Sequence, residues 1–343
     1  MTHLRAHGLG ALALAAALAA CGGPADEVLV LHTANTYGYF EGCGCTSDST
    51  GGLAKRAWIV DSLRREEGAP ILLVDAGDFT GGENAYGAAL GRVIFEAMEL
   101  MGYDAITLGE WDLNQGPSYA RSIVEGSSIA WVHTNYDVAG LEDLGHRTLV
   151  VDKGGRRIGI LGLLNPTVSL NPAVRDSVTI EEDIVGATQR GVDELRREGV
   201  DAIVVLSHLG YRGDRALAEM VEGLDLIVTG HGGKTLGEAE AASPGTWIVA
   251  PGDLGRYLGS ARLALGSAEE AATAVRDATG ELIVMVPSIP DDPRLAPLFA
   301  AYEEERKALM RRELDARRPP QYFRTPEAPD EGNAAGRLET PGT

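Results

Sequence analysis

The stretch Leu31–Ala57, LHTANTYGYFEGCGCTSDSTGGLAKRA, decides how this chain folds. It leaves an apolar, β-branched run (VLVLHTA, from Val28), crosses a polar turn and enters a helical pattern at Gly51-Gly52. A short apolar run of this kind reads as a buried strand, and the periodic segment after it as a helix. This is the layout of a metal-site loop. Yet Asn35 and Tyr37 stand where a metal would want a carboxylate and an imidazole, and the loop carries Cys43 and Cys45.

The same unit recurs downstream. PILLVDAGD (Pro70–Asp78) is a strand before the helix Gly87–Gly102, and DAITLGEWD (Asp104–Asp112) and SIAWVHTNYD (Ser128–Asp137) are strands around a helical stretch, Ser118–Glu125. RTLVVDKGGRRIGILGLL reads as a hairpin turning at Gly154-Gly155. Helices Ile184–Val200 and Arg215–Leu224 lead into DAIVVLSHLG and DLIVTGHGG, and three late strands follow up to Ile289. Strands alternating with helices predict an α/β fold, a mostly parallel sheet covered on both faces, and the hairpin segments predict two packed sheets. Asn35, Asp78, Glu110, His208 and His231 fall at successive strand carboxyl ends, where open α/β sheets bind ligands. His32 and His133, in or beside strands, read as structural.

The motifs in order are LHTANTYG, GGLAKR (Gly51–Arg56), DAGD (Asp75–Asp78), LGEWDLNQG (Leu108–Gly116), SHLG (Ser207–Gly210), TGHGG (Thr229–Gly233) and PGDLGRYLG (Pro251–Gly259). They resemble the metallophosphoesterase (calcineurin-like) domain of the 5′-nucleotidase / UDP-sugar hydrolase family, whose motifs run LHTND-x-HG, GG-x-AR, DAGD, LGNHEFD, SH-x-G and GGH-x-H. The resemblance spans Val28 to about Ser288 and implies a four-layer sandwich of two mixed sheets flanked by helices. It also implies a hydrolase of phosphoesters or related esters that uses water activated by metal. Of the two metals in that family, the first would take ligands at positions that here hold Asn35, Tyr37 and Gly233, besides the bridging Asp78. The second would be held by Asp78, Glu110, His208 and His231, with Glu110 replacing a neutral Asn. One half-site is dismantled and the other is complete, so the expectation is one divalent ion, Zn²⁺, Mn²⁺ or Fe²⁺, with Asp78 and His208 in catalytic roles. The family's protonating histidine position is Trp111. Nucleotide contacts made by a second domain in full-length members do not carry over.

Cys43-Gly44-Cys45 leaves three readings open: a local disulfide, a redox-active pair in a strained short loop, and a thiolate metal site to which Asn35 and Tyr37 could add ligands. The alternative function is therefore a non-hydrolytic redox or metal/ligand-binding protein that uses Cys43 and Cys45 on a degenerate hydrolase scaffold.

The chain has 343 residues, 44% of them hydrophobic, enough for one large α/β domain or two smaller ones. A net charge of -20 argues against a nucleic-acid polymer or an anionic membrane surface as partner; the family resemblance implies a small-molecule phosphoester or other anionic substrate, with membrane contact through a lipid anchor only. Residues 1–20 read as a signal peptide: Arg5, an apolar run Leu9–Ala20 too short to span a bilayer, and small residues at its end. LAAC (Leu18–Cys21) resembles a bacterial lipobox, which implies cleavage before Cys21, its acylation, and anchoring at the periplasmic face of the cell envelope. The expected organisation is a linker over 21–27, the metallophosphoesterase-like domain over 28–290, a charged surface helix over 291–318 and a Pro-, Gly- and acid-rich disordered tail over 319–343.

Overall fold

The computed structural model describes residues 27–41, 50–265 and 275–317. Cys21, Cys43, Cys45 and the terminal segments lie outside the described residues. In chain order the first half carries β1 (Glu27–Thr33), α1 (Leu53–Glu66), β2 (Ile71–Asp75), α2 (Ala85–Met101), β3 (Ala105–Ile106), α3 (Glu110–Leu113), α4 (Pro117–Val124) and β4 (Ala130–Trp131). Then come β5 (Tyr136–Val138), β6 (Leu149–Lys153), β7 (Arg156–Leu164), β8 (Val178–Ile180), α5 (Ile184–Arg197), β9 (Ala202–His208), α6 (Tyr211–Met220) and β10 (Leu226–Thr229). The chain closes with β11 (Glu240–Ser243), β12 (Thr246–Val249), β13 (Tyr257–Leu265), β14 (Val275–Val284) and α7 (Ala296–Ala316).

Two six-stranded mixed sheets form the centre, ordered β14-β13-β1-β2-β3-β4 and β11-β12-β10-β9-β7-β6. In the first, β1 to β4 are parallel and β13 and β14 antiparallel. In the second, β7, β9, β10 and β12 are parallel, with β6 and β11 as antiparallel edges. The sheets face each other across one apolar layer, in which Val28, Val30, Leu72 and Val74 meet Ile158, Ile160, Val204, Leu206 and Val228. The outer face of the first sheet packs on α1, α2 and α4, and that of the second on α5 and α6. Strands buried on both faces need apolar residues at every position, which is why β1 and β9 read as continuous runs. Helix starts are capped locally: Asn84 accepts from the amides of Tyr86 and Gly87 at 3.0 Å, and Asp183 caps α5.

Two expected strands are shorter than their sequence suggested. DAITLGEWD pairs only at Ala105 and Ile106. Beyond them the Leu108 amide donates to the Tyr136 hydroxyl and the Gly109 amide to the Asp112 carboxylate, so the ladder ends and α3 begins. Ser128–Asp137 splits into β4 and β5 because the amides of His133 and Thr134 turn to the carbonyls of His146 and Gly162. The last helix, expected on the surface, is half-seated: Tyr302 is buried, and Phe40 packs against Phe299 and Tyr302 at centroid distances of 5.0 and 5.2 Å.

Candidate metal centre

Four strand ends converge on one point. Asp78 follows β2, Glu110 opens α3 after β3, His208 ends β9 and His231 follows β10. One donor atom from each lies within 4.8 Å of the other three, and this is the one group of its kind among the described residues. Asp78 and His208 are fully buried. His208 donates from Nδ1 to the Ala76 carbonyl at 2.7 Å, which aims Nε2 inward, 2.8 Å from Glu110 Oε2 and 3.2 Å from Asp78 Oδ2. A carbonyl behind an imidazole is the usual outer partner of a histidine that binds metal. His231 Nδ1 lies 3.0 Å from Glu110 Oε1, and the two imidazoles meet edge to face at 5.2 Å.

The electrostatics follow from this packing. Burial disfavours a charged His208, but the Asp78 and Glu110 carboxylates outweigh it and raise its pKa well above the ordinary value. Burial likewise opposes ionisation of Glu110, while hydrogen bonds and charge from His208 and His231 hold it far below the usual carboxylate range. Asp78 Oδ2 is buried, with no hydrogen bond of full geometry and the His208 ring 3.2 Å away. A buried carboxylate oxygen costs free energy unless a cation, an imidazolium or a metal ion, meets it. Two carboxylates and two imidazoles at this spacing fit a divalent ion of the Zn²⁺, Mn²⁺ or Fe²⁺ type.

Backbone strain concentrates here. Of five non-glycine residues with positive φ among the described residues, four belong to the site: Asn35 (52°), Tyr37 (49°), Asp78 (61°) and His231 (53°). Such conformations persist where surrounding structure over-determines them, and they cluster at functional sites. The Asn35–Gly38 turn is laid on the 77–79 turn by three backbone bonds, Asn35 to Gly77, Tyr37 to Asp78 and Gly38 to Phe79, at 2.8, 2.9 and 2.9 Å.

Asn35, Tyr37 and Gly233, the positions expected to have lost ligands, meet other protein groups. Asn35 is buried: its amide oxygen accepts from the His231 amide at 2.9 Å and its nitrogen donates to the Gly252 carbonyl at 3.2 Å. The Tyr37 ring packs against Trp111 at 5.1 Å. A Cβ at Gly233 would come 2.8 Å from Asp253 Oδ2, so Asp253 takes up space that a side chain at 233 would need. Cys43 and Cys45, offered as a redox pair or added ligands, lie outside the described residues.

Asp112 was not among the expected site residues. It is fully buried, and its two oxygens accept the amides of Asp78 (2.7 Å), Thr80 (2.9 Å) and Gly109 (3.0 Å). One carboxylate thus ties the Asp78 turn to the turn that presents Glu110. Burial and the neighbouring Asp78 charge push its pKa up to about 7 against those three donors. The available signal was position: an acidic residue at the third place of a helix reaches back to the start of that helix.

The calcineurin-like phosphoesterase family model matches residues 43–232, more than half of the chain. The chain belongs to this family. It is 28% identical over 303 residues to a 5′-nucleotidase of Diplobatis ommata, covering 78% of this chain and 50% of that protein. It spans about half the length of that relative, and between 38% and 51% of three mammalian 5′-nucleotidases. Among solved structures, a 5′-nucleotidase precursor of Thermus thermophilus aligns with a TM-score of 0.71 at 26% identity, over 83% of this chain and 60% of that one. The calcineurin-like phosphoesterase YfkN of Bacillus subtilis shares the fold, with a TM-score of 0.66 at 21% identity over 81% of this chain and 97% of that one. Proteins of this family use divalent metals, and Asp78, Glu110, His208 and His231 are the residues that could hold one here.

Proposed function

We propose that the chain is a metal-dependent hydrolase of the 5′-nucleotidase type that acts on a small phosphoester with one bound ion. The carrying observation is the convergence of Asp78, Glu110, His208 and His231 at four strand ends in a chain of this family. A divalent ion there supplies Lewis-acid polarisation of a phosphoryl oxygen and a lowered water pKa. The protein's part is positioning: Ala76 fixes the His208 ring, Asn35 fixes the His231 backbone, and Asp112 fixes the Asp78 turn. Trp111, at the position of the family's protonating histidine, donates its backbone amide to Asp78 Oδ1 at 2.9 Å and has no acid–base chemistry near neutral pH. Esters with good leaving groups are therefore the expected substrates. The sequence LAAC supports a lipid anchor on Cys21 and a place at the periplasmic face of a bacterial envelope; the mass of the mature N-terminal peptide tests this.

The test of function is direct. The chain from Pro24 onward is loaded with Mn²⁺, Zn²⁺ or Fe²⁺, its metal content measured, and its turnover of 4-nitrophenyl phosphate compared with that of Asp78→Asn and Cys43→Ser/Cys45→Ser. The expected result is one ion per chain, with activity lost in the first variant and kept in the second. No turnover with any of the three ions, together with a reversible Cys43–Cys45 couple, would sink the hydrolase and favour a redox protein.

A further inference from the structure

Trp111 is 39% exposed, one residue from Glu110, and its own amide holds Asp78. The indole is thus partly open to solvent beside a group of four metal-type ligands. Tyr37 holds a left-handed backbone at φ 49° and presents its ring to Trp111 at an interplanar angle of 57°.

We infer that the Tyr37–Trp111 pair is a stacking surface that selects phosphoesters whose leaving group is an uncharged planar aromatic ring. This rests on the hydrolase reading above and adds the substrate class. The indole is rooted one residue from Glu110 and its amide donates to Asp78 Oδ1, so a ring bonded directly to the ester oxygen is the leaving group that would lie closest to it. The Asp253 carboxylate, which lies near Tyr37 and outside the four-ligand group, disfavours a leaving group with a negative charge of its own. Aromatic stacking is sequence- and substituent-tolerant, so the pair selects a ring as a class, not one compound.

The experiment uses ligands that cannot turn over. Phenylphosphonate and methylphosphonate are titrated against the Mn²⁺-loaded chain and against Trp111→Ala, Trp111→Phe and Asp78→Asn, by calorimetry and by quenching of tryptophan fluorescence. Wild type is expected to bind the phenyl compound about tenfold or more tighter, the size of one stacked ring. The ratio should fall to about one in Trp111→Ala and largely persist in Trp111→Phe, while Asp78→Asn loses both ligands. Should Trp111→Ala not fold, the stacking surface is supported by three other results: saturable quenching of the wild type by the phenyl but not the methyl compound, preserved preference in Trp111→Phe, and reduced preference in Tyr37→Leu. Equal affinity of wild type for the two ligands overturns the stacking surface, and so does a preference unchanged in Trp111→Ala. If wild type binds neither ligand the inference also falls, and turnover of 4-nitrophenyl phosphate by that same preparation shows that the hydrolase reading outlives it.

Discussion

Asp112 illustrates how much of the site is held by a residue that faces no ligand position. Its carboxylate accepts three buried amides, and two of them, on Asp78 and Gly109, sit at or beside metal-type ligands. In Asp112→Asn one acceptor oxygen becomes an NH₂ group that faces donors. We expect metal affinity to fall about 10- to 100-fold, as for other outer partners of metal ligands. Stability should fall by about 1–3 kcal/mol from unsatisfied amides. Metal titration and denaturant unfolding of the metal-free protein separate the two effects. Asp78, Glu110, His208 and His231 were legible in the sequence because each follows an apolar strand in a motif of fixed order. Asp112 and Asp253 were not. Their roles depend on which backbone amide, or which missing Cβ, lies across from them, and spacing along the chain does not encode that.

Among elements, β1 carries a polar group into the buried interior of the first sheet. His32 is 1% exposed and pairs with Gly259 of β13, where a Cβ would meet its ring at 2.1 Å. Burial lowers its pKa from 6.5 to about 3. Between those values the unfolded chain binds the proton and the folded chain does not, so this contribution is full above pH 6.5 and is lost as pH falls toward 3. Between pH 7 and pH 5 it amounts to at most about 2 kcal/mol. Buried Asp75, Asp214 and Asp225, raised by burial to about 6, 7 and 6, act in the opposite direction. They are shared by a His32→Gln variant, so the difference between the two proteins' pH slopes in urea unfolding isolates His32. A smaller acid loss in the variant is the expected outcome. Element type was readable from apolar runs and caps. The ends of β3 and β4 were not, because their ladders stop where Tyr136 and His146, distant in sequence, and Asp112, across the turn, capture the next amides.

For the molecule as a whole, the site joins the two sheets. Asp78 and Glu110 come from the first, His208 and His231 from the second, and between the sheets lies a largely apolar layer. An ion bound by both sides favours the docked state alone. At a free concentration 100 times its dissociation constant it should add about 2.7 kcal/mol to unfolding, an increment that Asp78→Asn abolishes and chelation reverses. Calorimetric melting with and without Mn²⁺ checks this. The two-sheet architecture was legible from alternating elements and the 154–155 hairpin. That strand ends from both sheets meet at one point was implied only by family resemblance, since no local pattern fixes how sheets dock.

The position of β1 also bears on how the chain is made. It lies between β2 and β13, and its register with β13 begins with Glu27 opposite Ala264. A ribosome adding roughly 5–20 residues per second needs about ten to fifty seconds to deliver that partner. For that interval one edge of an apolar strand has no neighbour, a template for pairing with other nascent chains. Synthesis therefore exposes this protein to aggregation at its first strand until almost its last strand has emerged.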